Sequence, residues 1–240
     1  MRLALSLVYW GMLALSAIAL FPVALLLWAL TRPFDPRGVV LHRFTSLWAW
    51  AYTFFNPIWR IEVSGRERFR PDQTYVVVAN HQSLLDILVL FRLFRHFRWV
   101  SKVENFRIPL VGQVMRLNRY IEIERGKADS VRRMLRACEQ ALGEGNSVLI
   151  FPEGTRSETG ALRPFKIGAF ELARTSRCPI LPVVIDGTAR ALPKRGIVLQ
   201  GRHAIRVEVL EEIPPDDFKD LTSAQLAQRV REQIAAALAR

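Results

Sequence analysis

A histidine and an aspartate lie five residues apart where a predicted buried strand passes into an apolar helix. His81 and Asp86 belong to the run Asn-His-Gln-Ser-Leu-Leu-Asp, which follows the β-branched segment 74–79. A neutral imidazole takes a proton from an alcohol near pH 7, and a carboxylate on its other nitrogen stabilises the imidazolium. The spacing predicts a general base, although Ser83 and Asp86 also fit a helix capping box without any catalytic role. No second ligand stands at helical spacing from His81, so no metal site is predicted.

A second polar turn follows another short apolar strand. Residues 151–157 read Phe-Pro-Glu-Gly-Thr-Arg-Ser. Backbone N–H groups in such a turn, together with the fork of Arg156, can hold a phosphate oxygen. Glu153 can orient Arg156 or accept a substrate hydroxyl. The alternative is a plain polar turn in which Gly154 supplies an unusual backbone dihedral.

The composition favours an anionic partner at a membrane. Half of the 240 residues are hydrophobic and 23% are charged, which argues against disorder and against a transporter with many spans. Lysine and arginine number 34 against 22 acidic residues, and most of them are arginine, which binds phosphate with a planar fork. Charge alone would also fit nucleic acid. Cys138 and Cys178 are too few for a disulfide framework, so a reducing compartment and no structural zinc are predicted.

The N-terminal segment predicts a membrane anchor. Residues 3–30 contain no charged side chain. As a helix they would extend about 42 Å, which exceeds the roughly 30 Å hydrocarbon core, so one tilted or Pro22-kinked span is expected. The apolar run is too long for a signal peptide. Because Arg32, Arg37 and Arg43 follow it, the body is predicted to lie on the cytoplasmic side of the inner membrane, with a single pass.

Aromatic side chains dominate the next segment. Residues 44–59 contain three tryptophans, a tyrosine and three phenylalanines without a formal charge. Such a segment suits the headgroup level of a bilayer, and the alternative is a hydrophobic helix packed on the core. We therefore expect an anchor over residues 1–32, an interfacial segment over 33–70 and a catalytic domain over 71–240.

The rest of the chain alternates strands and helices. This alternation predicts a single α/β domain with a largely parallel mixed sheet flanked by helices, preceded by the membrane helix. The C-terminal helix is expected to begin with a capping box at Thr222 and Gln225. The predicted strands are 74–79, 99–102, 120–124, 147–151, 180–185 and 204–209, and the predicted helices before the last are 84–94, 109–117, 127–142 and 167–175.

Taken together and in this order, the segments over residues 75–186 resemble the lysophospholipid acyltransferase family. The first run resembles its His-x4-Asp block, which implies that His81 is the general base and Asp86 its partner. Lys102, Pro109 and Gly112, followed by the run 120–125, resemble its second block, in which an arginine, here Arg125, faces the acceptor's phosphate.

The remaining two blocks extend the resemblance. The run 151–157 resembles the third block, which implies that Glu153, Gly154, Thr155 and Arg156 bind the acceptor. The apolar run 181–184 resembles the fourth. The second block departs from the family at two positions: Arg119 stands where a glycine is usual and Glu122 where a phenylalanine is usual.

The resemblance implies transfer of a fatty acyl group from acyl-CoA or acyl carrier protein to the sn-2 hydroxyl of lysophosphatidic acid. It implies no metal and no cofactor beyond the acyl donor, membrane lipid as a partner, and no nucleic acid. Alternatives within the class are glycerol 3-phosphate or another lyso-lipid as acceptor. From another class, the basic surface would suit a non-enzymatic tether for anionic lipid. No Gly-x-Ser-x-Gly elbow supports a lipase.

Overall fold

A computed structural model describes residues 2–240 as helices packed on both faces of one sheet. Residue 1, the first of the predicted anchor, lies outside the described residues. The seven strands of the described chain are β1 (Trp59–Ser64), β2 (Val76–Ala79), β3 (Phe97–Lys102), β4 (Ile121–Ile123), β5 (Ser147–Ile150), β6 (Ile180–Asp186) and β7 (His203–Val209).

Eight α-helices accompany the strands in residues 2–240. They are α1 (Arg2–Thr31), α2 (Val39–Phe54), α3 (Leu85–Leu90), α4 (Val111–Leu117), α5 (Ala128–Gly143), α6 (Gly168–Ser176), α7 (Thr188–Ala191) and α8 (Ser223–Leu238). Short 3-10 turns cover Arg66–Arg68, Phe91–Leu93, Val103–Arg107 and Pro215–Asp217. The capping box predicted at the start of α8 is present: the Thr222 hydroxyl accepts from the backbone N–H of Gln225, whose side chain accepts from Thr222.

The sheet confirms the predicted fold class. Its order is β1-β7-β6-β2-β5-β3-β4, and every neighbouring pair is parallel except β6 with β7. The central strands β2 and β5 are buried on both faces, as their runs of valine, leucine and isoleucine require in a sheet covered on two sides. Because β2, β5, β3 and β4 are parallel neighbours, their carboxyl ends lie along one edge of the sheet.

Two hydrophobic clusters cover the two faces of the sheet. One joins Val77 and Leu149 to α2 and α3, and the other joins Val76 and Val148 to α5, α6 and α8. Alternate residues of β2 therefore enter opposite clusters, as the period of a strand demands. This packing leaves the carboxyl edge of the sheet open for the polar residues that follow the strands.

The aromatic segment forms α2, which has two different faces. Leu41, Ala49 and Tyr52 are buried against the body, whereas Leu47 and Phe54 are exposed. One face of the helix thus packs on the core, as the second alternative expected, and a location at the headgroup level stays a prediction. The segment also contains an element that the sequence analysis did not predict: β1 pairs with β7, so the sheet begins before residue 71.

The helix α1 lies against the body and is continuous through Pro22. Among the described residues it is the single helix long and apolar enough to cross a membrane. Near its N-terminus the Ser6 hydroxyl accepts from Leu199 N–H at 2.9 Å and the Trp10 indole donates to Ile197 O at 2.6 Å. Towards its other end, Ala24 is fully buried. The opposite face of α1 exposes apolar side chains to the surroundings.

Candidate active site

His81 and Asp86 form a hydrogen-bonded pair at the carboxyl end of β2. The Nδ1 atom of His81 lies 2.7 Å from Oδ2 of Asp86, and Asp86 is completely buried. The same oxygen accepts the backbone N–H groups of Gln82 at 2.6 Å and Ser83 at 2.8 Å. An ionised carboxylate only accepts, so Nδ1 carries the proton and Nε2 keeps its lone pair. One oxygen of Asp86 therefore contacts both the imidazole and the backbone just before α3, while the catalytic role of the pair stays a prediction.

The remaining oxygen of Asp86 has a partner that the sequence analysis missed. The Thr188 hydroxyl donates to Asp86 Oδ1 at 2.5 Å, and Thr188 is completely buried. Thr188 lies 102 positions along the chain from Asp86. The one sequence signal for it is a hydroxyl residue directly after a glycine at the end of the buried strand β6.

The backbone around His81 is held from two neighbouring strands. The side-chain amide of Asn80 donates to Ile185 O and accepts from Ile185 N–H, both at 2.8 Å, which ties the exit of β2 to β6. The carbonyl of His81 accepts from Ser157 N–H at 2.8 Å. The imidazole stacks on Phe151, with ring centroids 4.1 Å apart and planes 18° apart. These contacts fix both the position and the plane of the ring.

Glu153 is buried and contacts the backbone rather than open space. Its Oε1 accepts His81 N–H at 2.7 Å and its Oε2 accepts Arg163 N–H at 3.0 Å. Burial raises the pKa of Glu153 to about 7, with a further rise from Asp86, while the two backbone hydrogen bonds act in the opposite direction. Both contacts hold the histidine loop. Acceptor binding by Glu153 stays a prediction.

Gly154 and Thr155 continue this turn. Gly154 has φ +69°, and a Cβ built there would lie 2.9 Å from Cε and Nζ of Lys166. A side chain at Gly154 would therefore displace the lysine, whose backbone N–H also bonds Pro152 O at 2.9 Å. Thr155 is half-buried. The glycine thus lets a basic side chain lie directly over the turn.

Arg156 and Arg125 are close enough to affect each other's charge. Burial lowers the pKa of Arg156, which the Asp86 carboxylate partly offsets. Loss of hydration lowers the pKa of Arg125, the charge of Arg156 lowers it further, and Glu104 raises it. Within residues 2–240 neither arginine forms a hydrogen bond or ion pair with another side chain. Both are available to an anion.

Lys102 completes the basic group that the sequence predicted. It is the last residue of β3, and its Nζ lies 2.8 Å from Oε1 of Glu104. Strands in a sheet are about 4.8 Å apart, so the edge from β2 to β4 spans about 14 Å. His81 follows one end of this edge and Arg125 the other, with Arg156 following the strand next to β2. His81 and the basic residues therefore follow strands along one edge of the sheet.

Arg119 and Glu122, the two residues that differ from the family's usual second block, lie away from His81. Arg119 has φ +55°, a backbone conformation that favours glycine. This conformation explains why glycine is usual at this position in the family. Its guanidinium donates to Pro36 O at 3.2 Å and lies 3.9 Å from Glu144. Glu122 faces outward and lies 3.5 Å from Arg116. Neither contacts the residues around His81.

An apolar cavity of about 240 Å³ lies between α1, α2, α4 and α3, the last of which contains Asp86. Its wall includes Leu84, Ile87 and Leu88, which belong to or adjoin the helix containing Asp86. Leu84, Ile108 and Val111, also in the wall, are exposed. The cavity is therefore continuous with an apolar part of the surface. In residues 2–240, no group of three or more histidine, cysteine, aspartate or glutamate residues is placed to hold a metal ion.

Fold and site together define an α/β protein with a His-Asp pair beside a basic group and an apolar cavity. A family model described as Acyltransferase matches residues 60–186. The chain belongs to the acyltransferase family. This confirms the family expected from the motif order.

Individual proteins show the same relationship. A 1-acyl-sn-glycerol-3-phosphate acyltransferase of Chlamydomonas reinhardtii is 36% identical over 228 residues, covering 93% of this chain and 66% of that protein. The enzyme of that name from Saccharomyces cerevisiae is 32% identical, over 72% of this chain and 58% of its own. A crystal structure of the 1-acyl-sn-glycerophosphate (LPA) acyltransferase PlsC from Thermotoga maritima matches with TM-score 0.84 and 25% identity, covering 99% and 95% of the two chains. The chain spans about half to two thirds of the length of the curated relatives it matches.

Proposed function

We propose that this protein transfers a fatty acyl group from a thioester to the sn-2 hydroxyl of lysophosphatidic acid. The observation that supports this most is the free Nε2 of His81, whose Nδ1 is bound to a buried carboxylate beside two arginines without ionic partners. The names of the relatives support the same reaction and acceptor.

In this mechanism His81 acts as a general base. Its Nε2 removes the hydroxyl proton as the oxygen attacks the thioester carbonyl, while Asp86 stabilises the imidazolium. The C–O bond forms, the C–S bond breaks, and the departing thiolate takes the proton back from His81. The thioester is already activated, so the step needs neither a covalent acyl-enzyme nor a cofactor beyond the donor. The donor is acyl-CoA or acyl carrier protein.

The basic group binds the acceptor's phosphate. Arg156 and Arg125 supply planar forks that match phosphate oxygens, and Lys102 adds a third positive charge once it turns from Glu104. Holding the phosphate there would position the neighbouring glycerol hydroxyl at His81, which converts a bimolecular encounter into a local one. Glu153 and Gly154 then contribute by shaping the turn that holds Arg156.

The apolar cavity receives a fatty chain. Its wall continues directly into α3, the helix that contains Asp86. An acyl chain lying there would have its carbonyl end near the histidine and its tail towards the exposed apolar residues. Burial of each methylene contributes about 0.8 kcal/mol, so even part of a chain stabilises the bound lipid.

Membrane attachment explains the exposed apolar face of α1. Leu15 and Ile18 are 69% and 62% exposed, which is costly in water. Because Ser6 and Trp10 bond the body at one end and Ala24 is buried towards the other, the contacts favour a helix embedded along the body over one that leaves it. The single crossing stays a prediction. The arginines after α1 favour a body on the cytoplasmic side of the inner membrane.

The experiment that tests this function offers labelled acyl-CoA and acyl carrier protein thioesters with several acceptors to the detergent-purified protein. Lysophosphatidic acid, glycerol 3-phosphate and lyso-lipids with other headgroups are compared. Phosphatidic acid as the main product is expected. Product from another acceptor alone would contradict the substrate assignment. No product from any acceptor, together with salt-sensitive binding to anionic vesicles, would favour the tether instead.

A further inference from the structure

We propose that Thr188 is a positioning residue for the His81–Asp86 pair, acting through the second oxygen of the aspartate. The inference rests on the proposed function, because it assigns a role within the same acyl-transfer step. Thr188 does not belong to any of the motifs recognised in the sequence. Its hydroxyl donates to Asp86 Oδ1 at 2.5 Å, and both residues are fully buried.

The hydrogen bonds of Asp86 are unequally divided between its two oxygens. Oδ2 accepts from His81, Gln82 and Ser83, whereas Thr188 is the one donor to Oδ1 among residues 2–240. Without the hydroxyl, Oδ1 would be a fully buried acceptor without a protein partner. The carboxylate could relieve this by rotating towards the two backbone N–H groups. Rotation would displace the oxygen that orients the imidazole.

The fold places Thr188 at this position through the turn after β6. Gly187 has φ +90°, and a Cβ there would lie 2.2 Å from the carbonyl oxygen of Ala204 in β7. The turn is therefore pressed against β7 and directs the chain into α7 beside the histidine loop. Past the other end of α7, the Ser83 hydroxyl donates to Leu192 O at 2.6 Å. Two side-chain hydrogen bonds thus connect the ends of α7 to the segment that holds His81.

The hydroxyl has one proton, and its geometry assigns that proton to Asp86. Its other polar neighbour is Gln82 Oε1, which is 3.5 Å away. The carboxylate is nearer and charged, so it is the stronger acceptor. The Thr188 bond therefore both fixes the rotation of Asp86 and disperses part of its negative charge.

Rotation of Asp86 gives a direction for the change in the pH–rate profile. Asp86 also influences the pKa values of Glu153 and Arg156, and Thr188→Val keeps both of these side chains. A carboxylate that has turned away from Nδ1 stabilises the imidazolium of His81 less. The rising limb of the pH–rate profile should therefore move to lower pH.

The test compares Thr188→Val with Thr188→Ser by steady-state kinetics across pH. Valine keeps the shape and removes the hydroxyl, whereas serine keeps the hydroxyl. We expect Thr188→Val to lower kcat at least tenfold, to leave the acceptor KM within about twofold, and to move the rising limb of the pH–rate profile to lower pH. We expect Thr188→Ser to have a kcat and a rising limb of the pH–rate profile close to those of the wild type. Thr175→Val is the matched control, because that hydroxyl bonds only Leu172 O at 3.1 Å.

Each outcome decides the role of Thr188. A Thr188→Val enzyme with the kcat and pH profile of the wild type would overturn the proposal, as would an equal loss in Thr175→Val. If the valine variant fails to fold, Thr188→Ala and Thr188→Ser replace it, and equal activity of these two would overturn the proposal. An inactive wild type would instead contradict the proposed function. An active wild type, an inactive His81→Ala and an active Thr188→Val would contradict Thr188 alone.

Discussion

At the residue scale, the chemistry depends on which nitrogen of His81 is free and on what holds the ring. Asp86 occupies Nδ1, Phe151 covers one face of the ring, and Glu153 and Ser157 bind the adjacent backbone. All of these contacts are made within the protein itself and need no bound substrate. The proposed general base is therefore preorganised, and we expect little reorganisation on proton transfer.

The anion-binding role of Arg156 predicts a loss of acceptor affinity when it is removed. A hydrogen bond to a charged group contributes about 1.5–3 kcal/mol, so Arg156→Ala should raise the KM for lysophosphatidic acid about tenfold to 150-fold. The donor KM should change little. Arg136→Ala removes the same charge from the exposed face of α5 and serves as the control. An unchanged acceptor KM in Arg156→Ala, measured by steady-state kinetics, would contradict the role.

Glu153 predicts a pH-dependent contribution to stability. Its pKa in the folded protein is raised to about 7, so the fold binds a proton that the unfolded chain releases near its ordinary value of 4.5. The contribution of Glu153 to the free energy of unfolding is on the order of 3 kcal/mol below about pH 4.5, and it is lost as pH rises to about 7. The Tm of the wild type relative to Glu153→Gln should therefore fall across this window. A difference that stays constant from pH 4.5 to 7 would rule this out.

The sequence identified much of this site because its residues are near one another along the chain. His81 and Asp86 are five residues apart, and the run 151–157 is continuous. The contacts of Glu153 and Thr188 could not be predicted, since each depends on which strands are neighbours in the sheet. Both are long-range hydrogen bonds, and the sequence pattern contains no information about strand order.

At the element scale, the turns after the strands determine where the functional side chains lie. The sequence predicted every strand of the sheet except β1, because runs of β-branched residues are readable locally. It missed β1, whose alternating and partly exposed residues were grouped with the aromatic segment before them. It also missed α7, a single turn of helix that has no periodicity to detect.

Alanine should destabilise the protein much more at Gly187, in the turn between β6 and α7, than at Gly196. Gly187 and Gly196 have φ +90° and +107°, but a Cβ meets Ala204 O at 2.2 Å in the first and nothing within 4 Å in the second. Both alanine variants have the backbone penalty of about 1 kcal/mol, and Gly187→Ala adds an overpacking cost of about 1–3 kcal/mol. Gly187→Ala should have the lower Tm by several degrees and lower activity, measured by thermal unfolding and acyl transfer. Equal Tm values would show that the turn adjusts freely.

At the scale of the whole molecule, the apolar cavity connects α3, the helix that contains Asp86, with the apolar surface. The cavity beside α3 is bounded by α1 and α2, which both expose apolar side chains outward. A lipid acceptor could enter from the bilayer with its chain in the cavity and its phosphate at the sheet edge. The fatty chain would then reach the cavity without leaving an apolar environment, and the phosphate would reach the sheet edge without entering one.

Membrane attachment through α1 predicts that a charge on its outward face weakens binding to vesicles. A lysine at the centre of a membrane helix costs roughly 2.5–3.5 kcal/mol, so Ile18→Lys should weaken partitioning on the order of 100-fold. Ile167→Lys makes the same change at an exposed position of the body and should have little effect. Vesicle flotation over a range of lipid concentrations measures both. Equal partitioning of the two variants would contradict attachment through α1.

The step that most needs testing is removal of the hydroxyl proton by His81 during acyl transfer to lysophosphatidic acid. The test compares the rate of phosphatidic acid formation by wild type and by His81→Ala, with both proteins shown to be folded by equal Tm. A general base contributes about 10² to 10⁴ in rate, so we expect a loss of that size without a matching change in acceptor KM. Phosphatidic acid formation by His81→Ala at a rate near that of the wild type would contradict this role of His81.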